Sequence, residues 1–309
     1  LRIPVFALVL LLVVPCFLAQ ANTSFTYGMG STEGSQTRVA RDTEAINDAF
    51  GQSTPAVVLV PKGDIGRELE LAERLEQIPH VTSVLSYPTA VGAAIPTGFL
   101  DPAVTEQFYS EHDARIVVYA DTESEGTEAF AVVEQVRAAV HDLYGDAGLV
   151  TGMAASLYDM RTVVTEDNQV TNLIAIAAIL LVLVLTFKSA TLPVILIATI
   201  ESAIFLNLAV PYFTGDSLNY LGFLVINTVQ LGATVDYAIL FTDTYRKHRR
   251  SMPPRQALAR TLGTSFQSIL VSASILTSAG LVLWLTSTNN IVSLLGLLLA
   301  RGTLLSFFL

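Results

Sequence analysis

Residues 231–250, LGATVDYAILFTDTYRKHRR, place an aspartate, Asp236, inside an apolar run that ends in a cluster of basic side chains. Asp236 precedes Arg246 by ten residues, which is about 15 Å along a helix. At that depth in a membrane, an ionised side chain costs on the order of 2.5–3.5 kcal/mol, and such residues usually face protein or water and serve transport. The stretch therefore predicts a functional membrane helix.

The composition of the whole chain is that of a membrane protein. Of its 309 residues, 52% are hydrophobic and only 14% are charged. Six apolar stretches are long enough to cross about 30 Å of hydrocarbon, so we predict a helical bundle of six spans. The stretches are residues 3–20, 169–187, 191–213, 218–242, 262–286 and 291–309. The first also fits a secretory signal peptide, since Arg2, an apolar core and Ala19-Gln20-Ala21 match its three parts.

Basic residues in the short loops predict the orientation of the spans. Lys188 follows the second span, whereas the connections at residues 215–217 and 288–290 carry no basic residue. We therefore expect a multi-pass protein of the cell membrane, with both termini cytoplasmic and residues 21–167 outside. The loop between the fourth and fifth spans carries six basic residues: Arg246, Lys247, Arg249, Arg250, Arg255 and Arg260.

Three regions follow from these patterns: residues 1–20 as the first span, 21–167 as an exported domain and 168–309 as a bundle of five spans. Residues 21–167 carry 23 acidic and 8 basic side chains, whereas the rest of the chain carries 4 and 9. An acidic exported domain repels phosphate backbones, which argues against nucleic acid as a partner.

The exported domain shows strand and helix patterns in a repeated order. Strand candidates at residues 56–60 and 81–86 flank a helix candidate at 66–77, and strand candidates at 114–120 and 148–151 flank a helix candidate at 125–144. Two β-α-β units in about 100 residues predict an α+β, ferredoxin-like sandwich, with helices on one face of a single sheet.

Common catalytic and phosphate-binding motifs are missing from the sequence. It contains no H-E-x-x-H, G-x-S-x-G or phosphate-loop motif. His80, His112 and His141 lack metal-ligand spacing, and Cys16 is the single cysteine. We therefore expect no enzymatic activity, no cofactor and no metal, and any transport would depend on an ion gradient or a partner.

The surroundings of Asp236 can be predicted from helical spacing. Gly232, Ala233 and Asp243 share its helix face, and the two small residues allow another helix to approach closely. We therefore expect the carboxylate to point at protein. Tyr237 lies too deep for the membrane interface, which predicts a buried hydroxyl with a hydrogen-bonding partner.

Asp243 and two further features are auxiliary candidates. Glu201 lies eight residues after Pro193, about 12 Å from the cytoplasmic end of its span and at a depth similar to that of Asp236. Ser265, Ser268 and Ser272 fall on one face of the fifth span. These hydroxyls could bond an acid on the adjacent helix, or could simply allow close helix packing.

The sequence resembles a known family of transporters. GATVDYAIL followed by YRKHRR is similar to the Asp-Tyr signature in the fourth span of a half-transporter of the resistance-nodulation-cell division (RND) superfamily, in its MMPL branch (mycobacterial membrane protein large). SILTSAGLVLWLTS and IVSLLGLLLARGTLLS resemble its last two spans. NTSFTYG and Phe50-Gly51 look more like the second, C-terminal half of a full protein than the first.

The resemblance implies proton-driven export of lipids or other hydrophobic molecules. It assigns Asp236 as the proton carrier and Tyr237 as its hydrogen-bonding partner. Members of the branch use one such pair in each half, so we expect the other half or a second copy as a partner. The same six-span layout occurs in sterol-sensing and secretion-accessory membrane modules, which bind lipid or protein without transport, and this alternative stays open.

Overall fold

The computed structural model describes residues 2–28 and 37–309, with side chains described from Leu11 onward. The chain divides into two compact units. We call residues 1–34 and 164–309 the membrane unit and residues 35–163 the α/β unit. In chain order the elements are α1 (Arg2–Ala21), β1 (Phe25–Thr26), α2 (Arg38–Phe50), β2 (Thr54–Pro61), α3 (Ile65–Glu76), β3 (Val81–Leu85), α4 (Pro102–Thr105), β4 (Asp113–Ala120), α5 (Thr127–Tyr144), β5 (Leu149–Gly152), α6 (Met153–Phe187), α7 (Thr191–Thr214), β6 (Leu218–Asn219), α8 (Tyr220–Arg249), α9 (Pro254–Thr286) and α10 (Asn290–Phe308).

Among the described residues, the five helices α6 to α10 are long and apolar enough to cross a membrane. The prediction of a helical membrane bundle is therefore confirmed. The first predicted span falls in α1, where only residues 11–21 have described side chains. The count of six spans stays a prediction.

Local sequence signals explain where the membrane helices begin and end. Gly215, in the left-handed conformation at φ +77°, ends α7, as glycine commonly does at a helix C-terminus. The side chains of Asn219 and Asn289 accept hydrogen bonds from the first turns of α8 and α10. β1 and β6 form a short parallel pair, which joins Phe25 to Leu218.

Helices α9 and α10 approach each other closely at two glycines. A Cβ added to Gly280 would lie 2.7 Å from the carbonyl oxygen of Gly296, and one added to Gly296 would lie 2.7 Å from the backbone nitrogen of Trp284. Both positions therefore require glycine, and the two backbones make direct contact, as small residues permit in membranes.

The α/β unit contains a four-stranded sheet in the order β3-β4-β2-β5, with antiparallel neighbours throughout. Helices α3 and α5 cover one face. Val58, Val60, Ile116 and Val118 point from the strands into a core with side chains from both helices. The core side chains from α3 and α5 include Leu71, Ala72, Leu75, Val132, Val136 and Val140.

One charged residue, Glu68 of α3, lies in this core with 1% of its surface exposed. The Tyr109 hydroxyl donates a 2.7 Å hydrogen bond to its Oε2, while Oε1 has no hydrogen-bond partner. Burial raises the pKa of Glu68, and the bond from Tyr109 opposes that rise only in part. Burial and the nearby Glu68 also raise the pKa of Tyr144 to about 12.

The buried acid makes the stability of the α/β unit depend on pH. With a raised pKa in the folded state, the contribution of Glu68 is complete below its ordinary pKa and is lost as the pH rises through the raised value. Glu68→Gln keeps an acceptor for Tyr109 but cannot ionise. As the pH rises through the raised pKa of Glu68, we expect the melting temperature of the wild type to fall relative to that of Glu68→Gln. Tyrosine circular dichroism in detergent measures both melting temperatures.

Glu73→Gln is the matched control, because Glu73 lies on the same helix with its side chain exposed. Its profile should follow that of the wild type. Parallel pH profiles for the wild type and Glu68→Gln would contradict the assignment.

Candidate functional site

Asp236 lies on α8 and is exposed at the surface of this chain. Gly232, one turn earlier on the same face, is also exposed, and a Cβ added there would meet no atom within 4 Å. Ala233 is half-buried. The sequence predicts a closely packed neighbour at this face and a carboxylate that points at protein. The described residues of this chain do not supply that neighbour.

An exposed carboxylate at this depth has consequences for the face around it. Lipid tails offer it no hydrogen bonds, and neutralising it or covering it with protein removes the cost. The described residues therefore leave the face of α8 around Gly232 and Asp236 without the protein cover that such a carboxylate needs.

Tyr237 is half-buried, and its hydroxyl donates a 3.3 Å hydrogen bond to the Oγ of Ser272 on α9. Ser272 belongs to the predicted hydroxyl stripe. Of the other stripe members, Ser265 is buried and Ser268 is exposed. The stripe thus contacts the candidate site through the tyrosine, whereas the sequence left open a contact with an acid or simple close packing of helices.

The two auxiliary acids lie in different surroundings. Asp243 forms an ion pair of 2.7 Å with Lys247, one turn further along α8, so its charge is already paired near the basic end of the helix. Glu201 of α7 is half-buried, and its Oε1 is enclosed without a hydrogen-bond partner. No described hydrogen bond links either acid to Asp236.

A polar network missed by the sequence analysis joins three membrane helices. Arg301 of α10 donates from Nε to the Oδ1 of Asn207 at 2.7 Å and from a terminal nitrogen to the Asn207 carbonyl oxygen at 2.8 Å. Asn207, on α7, is fully buried. Its amide donates in turn to the Oε1 of Gln230 on α8 at 2.9 Å and to the Leu298 carbonyl oxygen at 3.0 Å.

The same network continues along α8 and α10. The Gln230 amide donates to the Gly302 carbonyl oxygen and to the Ser306 hydroxyl, both at 3.2 Å, and Thr234 contacts Ser306 at the same distance. The ion pairs of the described residues do not include Arg301, so neutral acceptors hold its charge. The signal was available: Arg301 interrupts the apolar run LLGLLLARGTLLS just as Asp236 interrupts its own.

A cavity of about 320 Å³ lies between α6 and α8 in the membrane unit. Its wall combines apolar side chains with amides, hydroxyls and the carboxylate of Asp167. This mixture suits an amphiphilic molecule better than a purely apolar one, because hydroxyl and amide groups bind a polar head. The polar lining residues are Asp167, Asn168, Thr171, Asn172, Asn227 and Thr228.

Comparisons with known proteins agree with a membrane assignment. A sequence model of the MMPL family matches residues 31–309. Among curated proteins, the chain is similar to SCO0839 of Streptomyces coelicolor, which is described as a membrane protein, with 26% identity over 164 residues. The matched region is 52% of this chain and 23% of that relative. The chain thus matches less than a quarter of the relative's length.

The polar network predicts a specific effect of one added methyl group. A Cβ at Gly302 would clash with the side chains of Gln230 and Asn207. We expect Gly302→Ala to separate α10 from α7 and α8 and to lower the free energy of unfolding by about 1–3 kcal/mol, the usual range for overpacking. Denaturant titration in bicelles measures this change.

The matched control for this prediction is Gly263→Ala on α9, where an added Cβ would meet no atom within 4 Å. The free energy of unfolding of that variant should equal that of the wild type or exceed it slightly. Equal unfolding free energies for Gly302→Ala and Gly263→Ala would refute the network as a packing constraint.

Proposed function

The chain belongs to the MMPL family, whose members are transporters rather than enzymes, and we propose that it is a half-unit of an exporter for lipids or other hydrophobic molecules. In this proposal the proton-motive force drives export across the cytoplasmic membrane. The observation that carries it is the carboxylate of Asp236, which lies uncovered on α8, one turn after Gly232, in a predominantly apolar span.

Asp236 is the proposed proton carrier and Tyr237 its hydrogen-bonding neighbour. A carboxylate that gains a proton loses its charge, and with it the main penalty for contact with hydrocarbon or an apolar helix. In the structure the Tyr237 hydroxyl bonds Ser272 on α9, so in this proposal the hydroxyl changes partner when it bonds Asp236. Protonation would then let α8 shift against its neighbours.

The energy that one proton supplies is comparable to the cost of a charged side chain in the membrane. One proton that crosses 100 mV supplies about 2.3 kcal/mol, and each pH unit adds about 1.4 kcal/mol. Such steps are comparable to the cost of holding one charged aspartate at the centre of a membrane helix, so a single protonation can decide which arrangement of the helices is stable.

The proposed partner at the Asp236 face is the other transporter half or a second copy of this chain. The uncovered Gly232 supports this assignment, since a glycine on a membrane helix permits close helix approach. A carboxylate from the partner would share a water-poor site with Asp236, where like charges oppose simultaneous ionisation.

The finer architecture is part of the same proposal. In it the chain has six spans and two cytoplasmic termini, and residues 21–167 form a ferredoxin-like porter domain outside. This arrangement would place the α/β unit where it can receive a substrate. The strand order β3-β4-β2-β5 supports the ferredoxin-like assignment, since two β-α-β units interleave in that way. The cavity between α6 and α8 supports an amphiphilic substrate.

Neutralising Asp236 tests the proposal. In proteoliposomes with an imposed pH gradient, we expect Asp236→Asn to remain folded and inserted but to lose movement of a fluorescent phospholipid and of protons. Tyr237→Phe should slow both, since it removes only the hydroxyl that bonds Ser272. Proton-dependent transport retained by Asp236→Asn would refute the role of the carboxylate.

Asp216→Asn is the matched control, because it removes an exposed carboxylate from the connection between α7 and α8, outside the candidate site. It should transport at close to the wild-type rate. A wild-type protein that binds lipid in these vesicles without any proton flux would favour the non-transporting module.

A further inference from the structure

Glu201 and Asp236 are the two acids within the predicted spans, and the proposed mechanism gives a role to Asp236 alone. The side chain of Glu201 is half-buried, and its Oε1 is enclosed by protein without a hydrogen-bond partner. An enclosed polar atom without a partner is costly in hydrocarbon, and most costly when the group is charged. The groups around Glu201 therefore decide whether it can be held as an ion.

The helices packed on α7 offer Glu201 no cation. These helices are α1, α8 and α10. Arg301 is the single basic residue within their predicted spans, and it bonds Asn207, which lies six residues or about 9 Å further along α7. The ion pairs of the described residues do not include Glu201. The charged and titratable side chains within these three spans are Cys16, Tyr220, Asp236, Tyr237 and Arg301.

The α1 side of Glu201 is apolar. The ring of Phe17 packs on that of Phe205, which lies one turn after Glu201 on α7. Residues 3–15 of α1 are all apolar, so they bring no side-chain donor to the level of Glu201. Arg2 begins α1 fifteen residues before Phe17, about 22 Å along the helix, whereas Glu201 is about 6 Å from Phe205 by the same rise. Arg2 is therefore out of reach of Glu201.

Glu201 lies at the same level of the bundle as Asp236. The hydrogen bond from the Asn207 amide to Gln230 marks a level at which α7 and α8 meet. These helices are joined by only five residues, 215–219, so they run in opposite directions. Glu201 is six residues before Asn207, and Asp236 is six residues after Gln230. Both acids therefore lie about 9 Å from this contact, on the same side of it.

Glu201 does not join helices in the way that a structural polar residue does. Asn207 is such a residue, because its amide bonds Gln230 of α8 and the Leu298 carbonyl oxygen of α10. No described hydrogen bond ties Glu201 to a neighbouring helix. A bound proton would make its carboxyl neutral, which removes the largest part of the cost of enclosing it.

We infer that Glu201 is a second proton-binding group of the membrane unit, which takes up and releases its proton in the same transport cycle as Asp236. The inference rests on the proposed function and adds one proton to each cycle of the half-unit. The neutral form of Glu201 suits the enclosed arrangement. Release of the proton requires a donor at Oε1, and a shift of α8 against α7 can admit water at the level of both acids.

Carbodiimide labelling tests whether Glu201 binds an exchangeable proton. Dicyclohexylcarbodiimide enters membranes and reacts with a protonated carboxyl group: a carboxyl oxygen bonds its central carbon, and the acid proton moves to its nitrogen. In proteoliposomes of the wild-type protein, we expect mass spectrometry to find an adduct on Glu201 that decreases as the pH rises. Asp216, exposed between α7 and α8, is the matched control. A carboxyl group in neutral water is ionised and should carry no adduct.

Proton counting tests whether this proton takes part in the cycle. In the proteoliposome assay, the number of protons moved per phospholipid should fall about two-fold in Glu201→Gln, since one of two proton-binding acids is then missing. Glutamine has nearly the shape of the protonated acid, so the variant should fold normally. Glu201→Asp keeps a carboxyl group and should restore the ratio, and Asp216→Asn should leave the ratio unchanged.

Three results would overturn the inference. An absence of adduct on Glu201 at every pH would mean that a partner holds it as an ion. An adduct that does not respond to pH, or an unchanged proton ratio in Glu201→Gln, would mean that its proton is not exchanged in the cycle. A wild-type protein that moves no protons would instead refute the proposed function, and with it the shared cycle, even where labelling shows that Glu201 is protonated.

Discussion

In hydrocarbon a polar side chain has no water to bond, so it must hydrogen-bond to protein. An ionised side chain can also escape the cost by becoming neutral. The membrane unit satisfies this constraint at Asn207, whose side-chain and backbone groups bond Arg301, Gln230 and the Leu298 carbonyl oxygen. One asparagine thereby joins α7, α8 and α10. The arrangement depends on Gly302, since no larger residue leaves room for both amides.

Asp236 faces the same constraint without a solution inside the chain. It is on α8, six residues after Gln230, but on a face that no described helix covers. Arg301 and Asp236 therefore lie in contrasting surroundings. Arg301 has a fixed set of acceptors within the bundle, whereas the proposed role of Asp236 as proton carrier calls for a carboxylate that no described helix covers. The proposed transport mechanism uses that difference.

Apolar length and strand alternation carried most of the fold prediction. The predicted spans at residues 191–213 and 291–309 lie within one residue of α7 and α10 at either end. The predicted span at 169–187 is only the end of α6, which begins at Met153 because no glycine or proline interrupts residues 153–168. Hydropathy marks where a chain becomes apolar, which differs from where a helix begins.

The polar contacts were harder to predict, because they depend on which helices are neighbours. Arg301 and Asn207 are 94 residues apart in sequence, and no spacing rule pairs them. Glu68 reads as an ordinary charged helix position, although it shares the buried side of α3 with Leu71, Ala72 and Leu75. The covering helix expected at Asp236 is not among the described residues of this chain, and helical spacing alone does not say which helix would supply it.

In the proposed mechanism Asp236 gains and loses a proton in the membrane. Infrared difference spectroscopy of the reconstituted protein, with and without a proton gradient, measures this through the C=O stretching band of a protonated carboxyl group. We expect a band that responds to the gradient in the wild type and is missing in Asp236→Asn. A carboxyl at Asp236 that stays ionised with and without the gradient would contradict it.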